Sequence, residues 1–298
     1  MARFINPFTD TGFKRIFGQE ISKELLLHFL NQLLYGERVI KDIKFLDKEQ
    51  LPQVEDRRTI IYDVYCETDT GEHIIVEMQQ KKQESFLKRS VYYLSNAVVQ
   101  QGERGYEWKY DIDAVYGIFF MNFKDEHLEP KLRTDMILAD RESGAQIIDT
   151  MRFIYLQLPY FNKKEAECES YFDKWLYVLM NMDTLERMPW AAQSAVFKKL
   201  AEIGDLRKLS REERIKYDRD IRNYRDWIST MDTAKNEGMQ QGFEQGMQQG
   251  IQQGMQQGMQ QGSNTRALSI ALNLKSLGMS LEDISKATGL SFEEIENI

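Results

Sequence analysis

Two acidic side chains, Asp63 and Glu77, lie in neighbouring runs of apolar residues that predict the two strands of a hairpin. The runs flank a short polar segment containing Gly71, which is typical of a turn between antiparallel strands. Side chains alternate between the two faces of a strand, so a loop centred near Thr70 places Asp63 opposite Glu77 on one face. Gln79 is the next residue of that face.

A pair of opposed carboxylates is electrostatically unfavourable in a sheet. Each raises the pKa of the other unless a positive charge lies close to both. A divalent cation is the simplest such charge, and Mg²⁺ is typically held by one or two carboxylates together with water and phosphate oxygens. Taken alone, the hairpin leaves a second interpretation open, in which both acids face solvent and bind no metal.

The surrounding sequence predicts a mixed α/β core around this hairpin. A wide apolar face predicts a helix over residues 22–35, after a short helix that Thr9 or Asp10 caps. The nearly continuous apolar run over residues 113–123 is typical of a strand buried on both faces. The predicted order is helix, strand, strand, strand, helix, strand. The other expected elements are strands at 39–46, 135–138, 146–148 and 153–158, and helices at 85–101, 163–182, 189–203 and 211–237.

A period-four repeat rich in glycine and glutamine occupies residues 238–262, and an apolar residue follows each of its first six glycines. On an α-helix a four-residue step advances by 40°, so the glycine and apolar stripes wind around the axis. Each helical glycine costs about 0.8–1 kcal/mol relative to alanine. The segment is therefore either a helix that pairs with a copy of itself in a homo-oligomer or a flexible spacer. We favour the helical alternative.

Residues 263–298 predict three short helices in a helix-turn-helix-like arrangement. Ser280 and Ser291 each precede an acidic residue by three positions, which indicates capped helix starts. The final helix carries an acidic surface, so the module is expected to pack or to contact protein rather than to recognise DNA bases.

Overall composition narrows the classes of function. The chain of 298 residues has a formal net charge of -8, which argues mildly against a general nucleic-acid binder. Residues 198–225 nevertheless carry ten Lys or Arg against six Asp or Glu. This segment is either a solvated face laced with ion pairs or a surface that meets phosphates. Two distant cysteines, the absence of a signal peptide and the lack of a long apolar run predict a cytoplasmic protein without a membrane partner.

Several segments in order resemble the PD-(D/E)XK nuclease-type transposase families, and specifically the recombination-promoting nuclease (Rpn) family. The resemblance covers nearly the whole chain. The matching pieces are NPFTDTGFKRIFG, LLLHFLNQLL, the hairpin with Asp63 and the EMQ sequence, RSVYYLSNAVVQQGERGY, and the terminal MSLEDISKATGLSFEEIENI.

The resemblance implies a restriction-endonuclease-like core that cleaves DNA with Mg²⁺, or with Mn²⁺, in recombination or transposition. Asp63 and Glu77 fall on the metal-binding positions of the family, and the backbone carbonyl of Met78 is a further ligand by analogy. Gln79 stands where the family usually has lysine. It can orient a water but carries no charge, so the implied catalytic residues are Asp63, Glu77 and Gln79.

The missing positive charge leaves several residues to consider as DNA contacts. Lys14, Lys81 and Lys82 each lie close in sequence to predicted site elements, and any of them could supply the charge. Arg89 and Tyr93, on the helix after the hairpin, could touch a phosphate or a base. For the tyrosine, packing in the core is the alternative.

The expected organisation is a nuclease-like core at residues 1–160, a helical region at 161–237, the repeat at 238–262 and a helical tail at 263–298. A competing hypothesis keeps this organisation but removes catalysis. In it, a nuclease fold of weak or no activity acts as a scaffold through DNA or protein binding and self-assembly of the repeat.

Overall fold

The computed structural model describes residues 2–50, 59–102 and 108–298. These residues form two compact units, one extending to Tyr224 and the other from Arg225 to Ile298. About half of the chain is helical. Parts of the predicted loop at 49–58 and of the segment after the third helix lie outside the described residues.

The first unit contains a six-stranded mixed sheet with strand order β1-β4-β5-β6-β8-β7. The central strands β5 and β6 are parallel, as are β6 and β8, while β1, β4 and β7 pair antiparallel with their neighbours. A small sheet joins β2 to β3. The strands are β1 (Ile43–Phe45), β2 (Glu49–Gln50), β3 (Ile60–Ile61), β4 (Val64–Thr68), β5 (His73–Gln79), β6 (Val115–Met121), β7 (Arg133–Ile137) and β8 (Met151–Gln157).

Helices cover both faces of the sheet, because alternate strand residues supply two apolar layers. Ile74 and Val76 of β5 join one core, and Ile75 joins the other. The first core also contains residues of α1 (Asp10–Phe17), α2 (Lys23–Leu33), α4 (Tyr171–Asn181) and α5 (Ala195–Gly204). The second is covered by α3 (Phe86–Val99).

The predicted order of core elements is confirmed, and β6 is buried along its whole length. The two added strands β7 and β8 extend the sheet beyond β6, as the predicted fold requires. The restriction-endonuclease-like fold is therefore the fold of this unit. Glu49 and Gln50 belong to β2, although we predicted a loop there.

Four predicted elements differ from the structure. The helix predicted at 163–182 begins only at Tyr171, because the Ser170 side chain caps it there. Residues 146–148 form no strand, because Ile147 and Ile148 are 71% and 54% exposed and β7 pairs with β8 instead. The strand predicted at 39–46 shrinks to β1, and exposed Val39 lies outside it. The helix predicted from Pro189 begins at Ala195, because Trp190 adopts a left-handed φ of 56° that a helix does not accommodate.

The helix α6 runs without a break over Arg211–Ser276, including the whole glycine repeat. The helical alternative for residues 238–262 is thus the one observed. In the second unit the end of α6 packs with α7 (Leu281–Thr288) and α8 (Phe292–Glu296) around Ala271, Ile284 and Ile295. Ser280 and Ser291 cap α7 and α8 as predicted.

Candidate active site

The carboxylates of Asp63 and Glu77 meet across the β4–β5 hairpin. Val64 pairs with Val76 in the antiparallel register, and the same register continued by one residue sets Asp63 opposite Glu77. Each side chain accepts from the backbone of the other strand: the Asp63 N–H donates to Glu77 Oε1 at 3.0 Å, and the Met78 N–H donates to Asp63 Oδ2 at 2.9 Å. These reciprocal bonds fix both acids at one end of the parallel strands.

Both acids lie in an environment that disfavours negative charge. Glu77 is only 4% exposed, and the Asp63 side chain is 24% exposed. Burial raises the pKa of Asp63 above its usual value. Burial, and then the negative charge of Asp63, raise the pKa of Glu77 well above its usual value. A cation placed between the two carboxylates would favour their charged forms and so lower the pKa of both.

Lys14 reaches this pair from α1. Its Nζ lies 4.0 Å from Asp63 Oδ1 and also pairs with Asp10 one helical turn earlier. The positive charge of Lys14 opposes the rise in the pKa of both Asp63 and Glu77. One of the three lysines that we considered therefore lies beside the acids.

The turn before α1 sets the position of this lysine. Thr9 caps α1 by accepting from the Gly12 N–H, so Thr9 rather than Asp10 is the cap. A Cβ on Gly12 would lie 2.1 Å from the backbone oxygen of Asn6, so only glycine fits there. The Asn6 N–H donates to the Tyr217 hydroxyl at 2.8 Å. The NPFTDTG segment is thus a packed connection that directs α1 towards the sheet.

Gln79 stands at the end of β5 on the same face as Glu77. Its Nε2 donates to Glu77 Oε2 at 3.3 Å, and its Oε1 accepts from Arg89 Nη2 of α3. The amide therefore links an acid of the hairpin to a guanidinium on the neighbouring helix. A Cβ on Gly117 would lie 2.6 Å from Leu94 Cδ1, so glycine in β6 is what allows α3 to pack this closely.

Three further residues were predicted to contact DNA, namely Lys81, Lys82 and Tyr93. Lys82 pairs with Glu126 at 2.6 Å on the surface. Tyr93 is half-buried, its ring packs edge-on against Tyr62 and its backbone oxygen accepts from the Tyr62 hydroxyl at 3.0 Å. Packing, the alternative to a DNA contact, thus explains much of the position of the Tyr93 ring. Lys81 lines a pocket of about 200 Å³ with Thr9, Asp10, Gln80, Asp220, Asn223 and Tyr224.

The sequence did not predict two contacts of these residues. Gln83 accepts from Arg89 Nη1 at 2.6 Å, although it precedes α3 and no helical spacing relates the two. Asp10 pairs with Lys14 at the i,i+4 spacing of a helix, a signal that the sequence does contain.

A model of the PD-(D/E)XK nuclease family transposases matches residues 7–234, which is more than half of the chain. The protein belongs to this family. The matched region begins just before α1, contains the whole six-stranded sheet and ends within α6 before the glycine repeat. No curated protein and no solved structure matches the chain.

Membership of the PD-(D/E)XK family agrees with the fold and with the predicted resemblance. It indicates a function related to nuclease action and transposition. None of the helices in residues 2–50, 59–102 and 108–298 combines the length and apolar character needed to cross a bilayer.

The donor set of the site suits the hard divalent cation that PD-(D/E)XK nucleases use. Within the described residues, no cluster of three or more His, Cys, Asp or Glu is arranged to hold a metal. Asp63 and Glu77 therefore offer two carboxylates and no nitrogen or sulfur ligand. Zinc sites need three or four protein ligands, whereas Mg²⁺ is commonly bound through one or two carboxylates and completed by water and phosphate.

Proposed function

We propose that this protein is a Mg²⁺-dependent DNA endonuclease that hydrolyses phosphodiester bonds in recombination or transposition. The observation that carries the proposal is the pairing of Asp63 with Glu77 at the end of the parallel strands, with Lys14 4.0 Å from Asp63. Family membership supplies the reaction class. DNA is accordingly the proposed partner.

Asp63 and Glu77 would hold Mg²⁺, or Mn²⁺ in its place, with the carbonyl oxygen of Met78 as a further ligand. The chemistry that the bound ion supplies is polarisation of the scissile phosphate and acidification of a water. The raised pKa of Glu77 supports this role, because an unpaired buried carboxylate gains most from a cation.

The uncharged Gln79 would orient the attacking water, since an amide can both donate and accept hydrogen bonds. Lys14 would lie close enough to contact the phosphate that is cleaved. We propose that the DNA is also contacted by four other residues, which are Lys81, Lys82, Arg89 and Tyr93. The surface pair of Lys82 with Glu126 is weak enough for DNA to replace it.

Cleavage of supercoiled plasmid DNA tests the proposal. The wild-type chain is expected to nick plasmid with Mg²⁺ or Mn²⁺ and to leave it intact in EDTA. Asp63→Asn and Glu77→Gln keep the size of each side chain but remove its charge, so nicking is expected to fall by at least about 10²-fold. Retained activity in both variants would contradict the assignment of the two acids.

Glu20→Gln is the matched control, because it makes the same chemical change at an exposed acid of the same unit. It is expected to nick at the wild-type rate. Thermal unfolding of each variant with increasing Mg²⁺ adds a test that does not depend on turnover. The ion should raise the melting temperature of the wild type and of Glu20→Gln but not of Glu77→Gln.

We also propose that the repeat of residues 238–262 acts as a self-association surface of a scaffold, alone or together with the nuclease. The observation in its favour is that six large apolar side chains of the repeat are 53–72% exposed. Burial of such side chains between two chains would offset the cost of the seven helical glycines. They are Met239, Phe243, Met247, Ile251, Met255 and Met259.

Light scattering of the full-length chain after size exclusion tests this second proposal. Replacing Phe243, Met247 and Ile251 by Gln is expected to convert a dimer or larger oligomer into a monomer. Replacing Gln245, Gln249 and Gln253 by Ala, on the opposite side of the same turns, is the control and should leave the oligomer intact. A monomeric wild-type chain would rule the proposal out.

A further inference from the structure

Arg89 carries its positive charge beside the acidic pair but gives both of its hydrogen bonds to neutral amides. Its Nη2 donates to Gln79 Oε1, and its Nη1 donates to Gln83 Oε1 at 2.6 Å. Its Nε is buried and has no hydrogen-bond partner among the described residues. A buried donor without a partner costs free energy, so its retention calls for an explanation.

The charge of Arg89 is not neutralised by a direct ion pair. Among the described residues, no carboxylate oxygen lies within 4.0 Å of its guanidinium, whereas Arg15, Arg133 and Arg152 each pair with an acid. The guanidinium is nevertheless close enough to Asp63 and Glu77 to oppose part of the rise that burial causes in the pKa of both carboxyls. A positive charge is thus held near the acids and left available for an anion.

The position of this guanidinium is fixed by packing as well as by hydrogen bonds. Its carbon lies 5.6 Å from the centre of the Phe86 ring and 5.7 Å from that of Tyr93. The planar guanidinium stacks well on such rings and binds phosphate oxygens through two parallel donors. The guanidinium of Arg89 therefore needs little further ordering when it binds an anion.

We propose that Arg89 contacts the scissile phosphate and supplies the positive charge that Gln79 lacks at the family's lysine position. This inference rests on the proposed nuclease function. Arg89 touches the reacting group, so it is a catalytic residue in this scheme. Gln79 and Gln83 are positioning residues, because they orient the guanidinium without cancelling its charge.

The two amides must be neutral for the charge of Arg89 to stay available. A carboxylate in place of Gln83 would keep the hydrogen bond to Arg89 and strengthen it, but would also form an ion pair that offsets the charge. A purely structural arginine would tolerate that change or gain from it. An arginine that serves a phosphate would lose function.

Three variants that each lower the net charge by one separate these cases: Arg89→Gln, Gln83→Glu and, as matched control, Lys88→Gln on the exposed side of α3. Plasmid nicking is measured with Mg²⁺. Affinity for a fluorescein-labelled DNA duplex is measured with Ca²⁺ in place of Mg²⁺, and thermal unfolding verifies the fold. Arg89→Lys, which keeps a charge but loses the planar fork, completes the set.

We expect Arg89→Gln to lower kcat by about 10²–10³-fold, as removal of a charge-stabilising donor does in other enzymes. Gln83→Glu should lower kcat by about tenfold without lowering the melting temperature, and Arg89→Lys should retain an intermediate rate. Lys88→Gln should change kcat less than about threefold, because it removes one peripheral charge.

Two different failures are distinguishable. Absence of wild-type cleavage with either metal would refute the nuclease function, and Arg89 would then be judged by duplex affinity alone. Weaker binding by Arg89→Gln than by Lys88→Gln would still support a phosphate contact, and equal binding would overturn it. If the wild type cleaves DNA and Arg89→Gln matches Lys88→Gln in rate, the inference is wrong while the nuclease function stands.

Discussion

Two glycines of the first unit and the seven glycines of the repeat are constrained to very different degrees. In the first unit, a Cβ on Gly12 would lie 2.1 Å from the Asn6 oxygen, and one on Gly117 would lie 2.6 Å from Leu94 Cδ1. In the repeat, a Cβ on any of the seven glycines would meet no heavy atom of residues 2–50, 59–102 and 108–298 within 4 Å, apart from the backbone of its own helix. Packing requires glycine at these two positions of the first unit, whereas the fold of the described residues does not require it in the repeat.

This difference distinguishes glycines that the fold of the chain requires from glycines that are present for another reason. Gly12 and Gly117 let α1 and α3 approach the elements that carry the acids. The repeat glycines lower helix stability, and no contact among the described residues offsets that cost. We infer that the period-four pattern serves an interaction of the helix surface rather than the fold of the monomer.

Gly12→Ala should have the largest effect on stability. The new methyl group would collide with a backbone oxygen, so the turn must move, which costs about 3 kcal/mol. For a unit of this size we expect the melting temperature to fall by about 10 °C. Nicking should fall as well, because α1 carries Lys14. A variant that melts like the wild type would show that the turn relaxes freely and would weaken the contrast with the repeat.

Glu77→Gln should stabilise the metal-free protein at neutral and alkaline pH, by on the order of 1 kcal/mol. The pKa of Glu77 is raised in the folded state, so the contribution of this group to stability is fully present below the pKa of an unfolded Glu, 4.5, and is lost as the pH rises through the folded pKa. The variant lacks this decline. Unfolding curves in EDTA should therefore coincide near pH 4 and separate towards pH 8.

The control for this prediction is Glu20→Gln, whose curves should run parallel to those of the wild type at every pH. Parallel curves for Glu77→Gln would mean that the acid does not carry the electrostatic cost that we assign to it. The site would then be as well optimised for stability as the packed core around it.

Gly250→Ala should have the smallest of the three effects and the opposite sign from Gly12→Ala. The added methyl meets no other part of the chain that the structure describes, so the helix should gain about 0.8–1 kcal/mol. Hydrogen exchange of the repeat amides should slow in the variant while the first unit exchanges unchanged. Faster exchange would reveal a contact between helices that needs glycine, and would remove the distinction between the two units.

The pairing of Asp63 with Glu77 could be predicted because the position of the turn fixes the register of a hairpin. Gly71 adopts φ 95°, as a turn glycine does, and Asp63 lies opposite Glu77 as expected. The buried strand β6 was equally clear from its continuous apolar run. Both features depend on local periodicity, which a single sequence displays.

The partners of Arg89 could not be predicted, because they join a helix to a strand end and a loop through tertiary packing. The strand expected at 146–148 failed for a related reason, since β8 offers β7 a longer partner. The sequence favours a helical repeat between two separate helices, but it does not predict that the three join into the single helix α6. Glycine weakens a helix but keeps its backbone N–H, so the hydrogen-bond ladder continues through every repeat.

The length of the helical repeat can change in steps of one four-residue unit. Gain or loss of one four-residue repeat preserves both stripes, lengthens or shortens the helix by about 6 Å and turns its end by about 40°. Within the second unit, such a change would carry α7 and α8 along and around the axis together. Copy number of the repeat would therefore set how far along α6 the α7 and α8 helices lie, and at what rotation about the axis of α6.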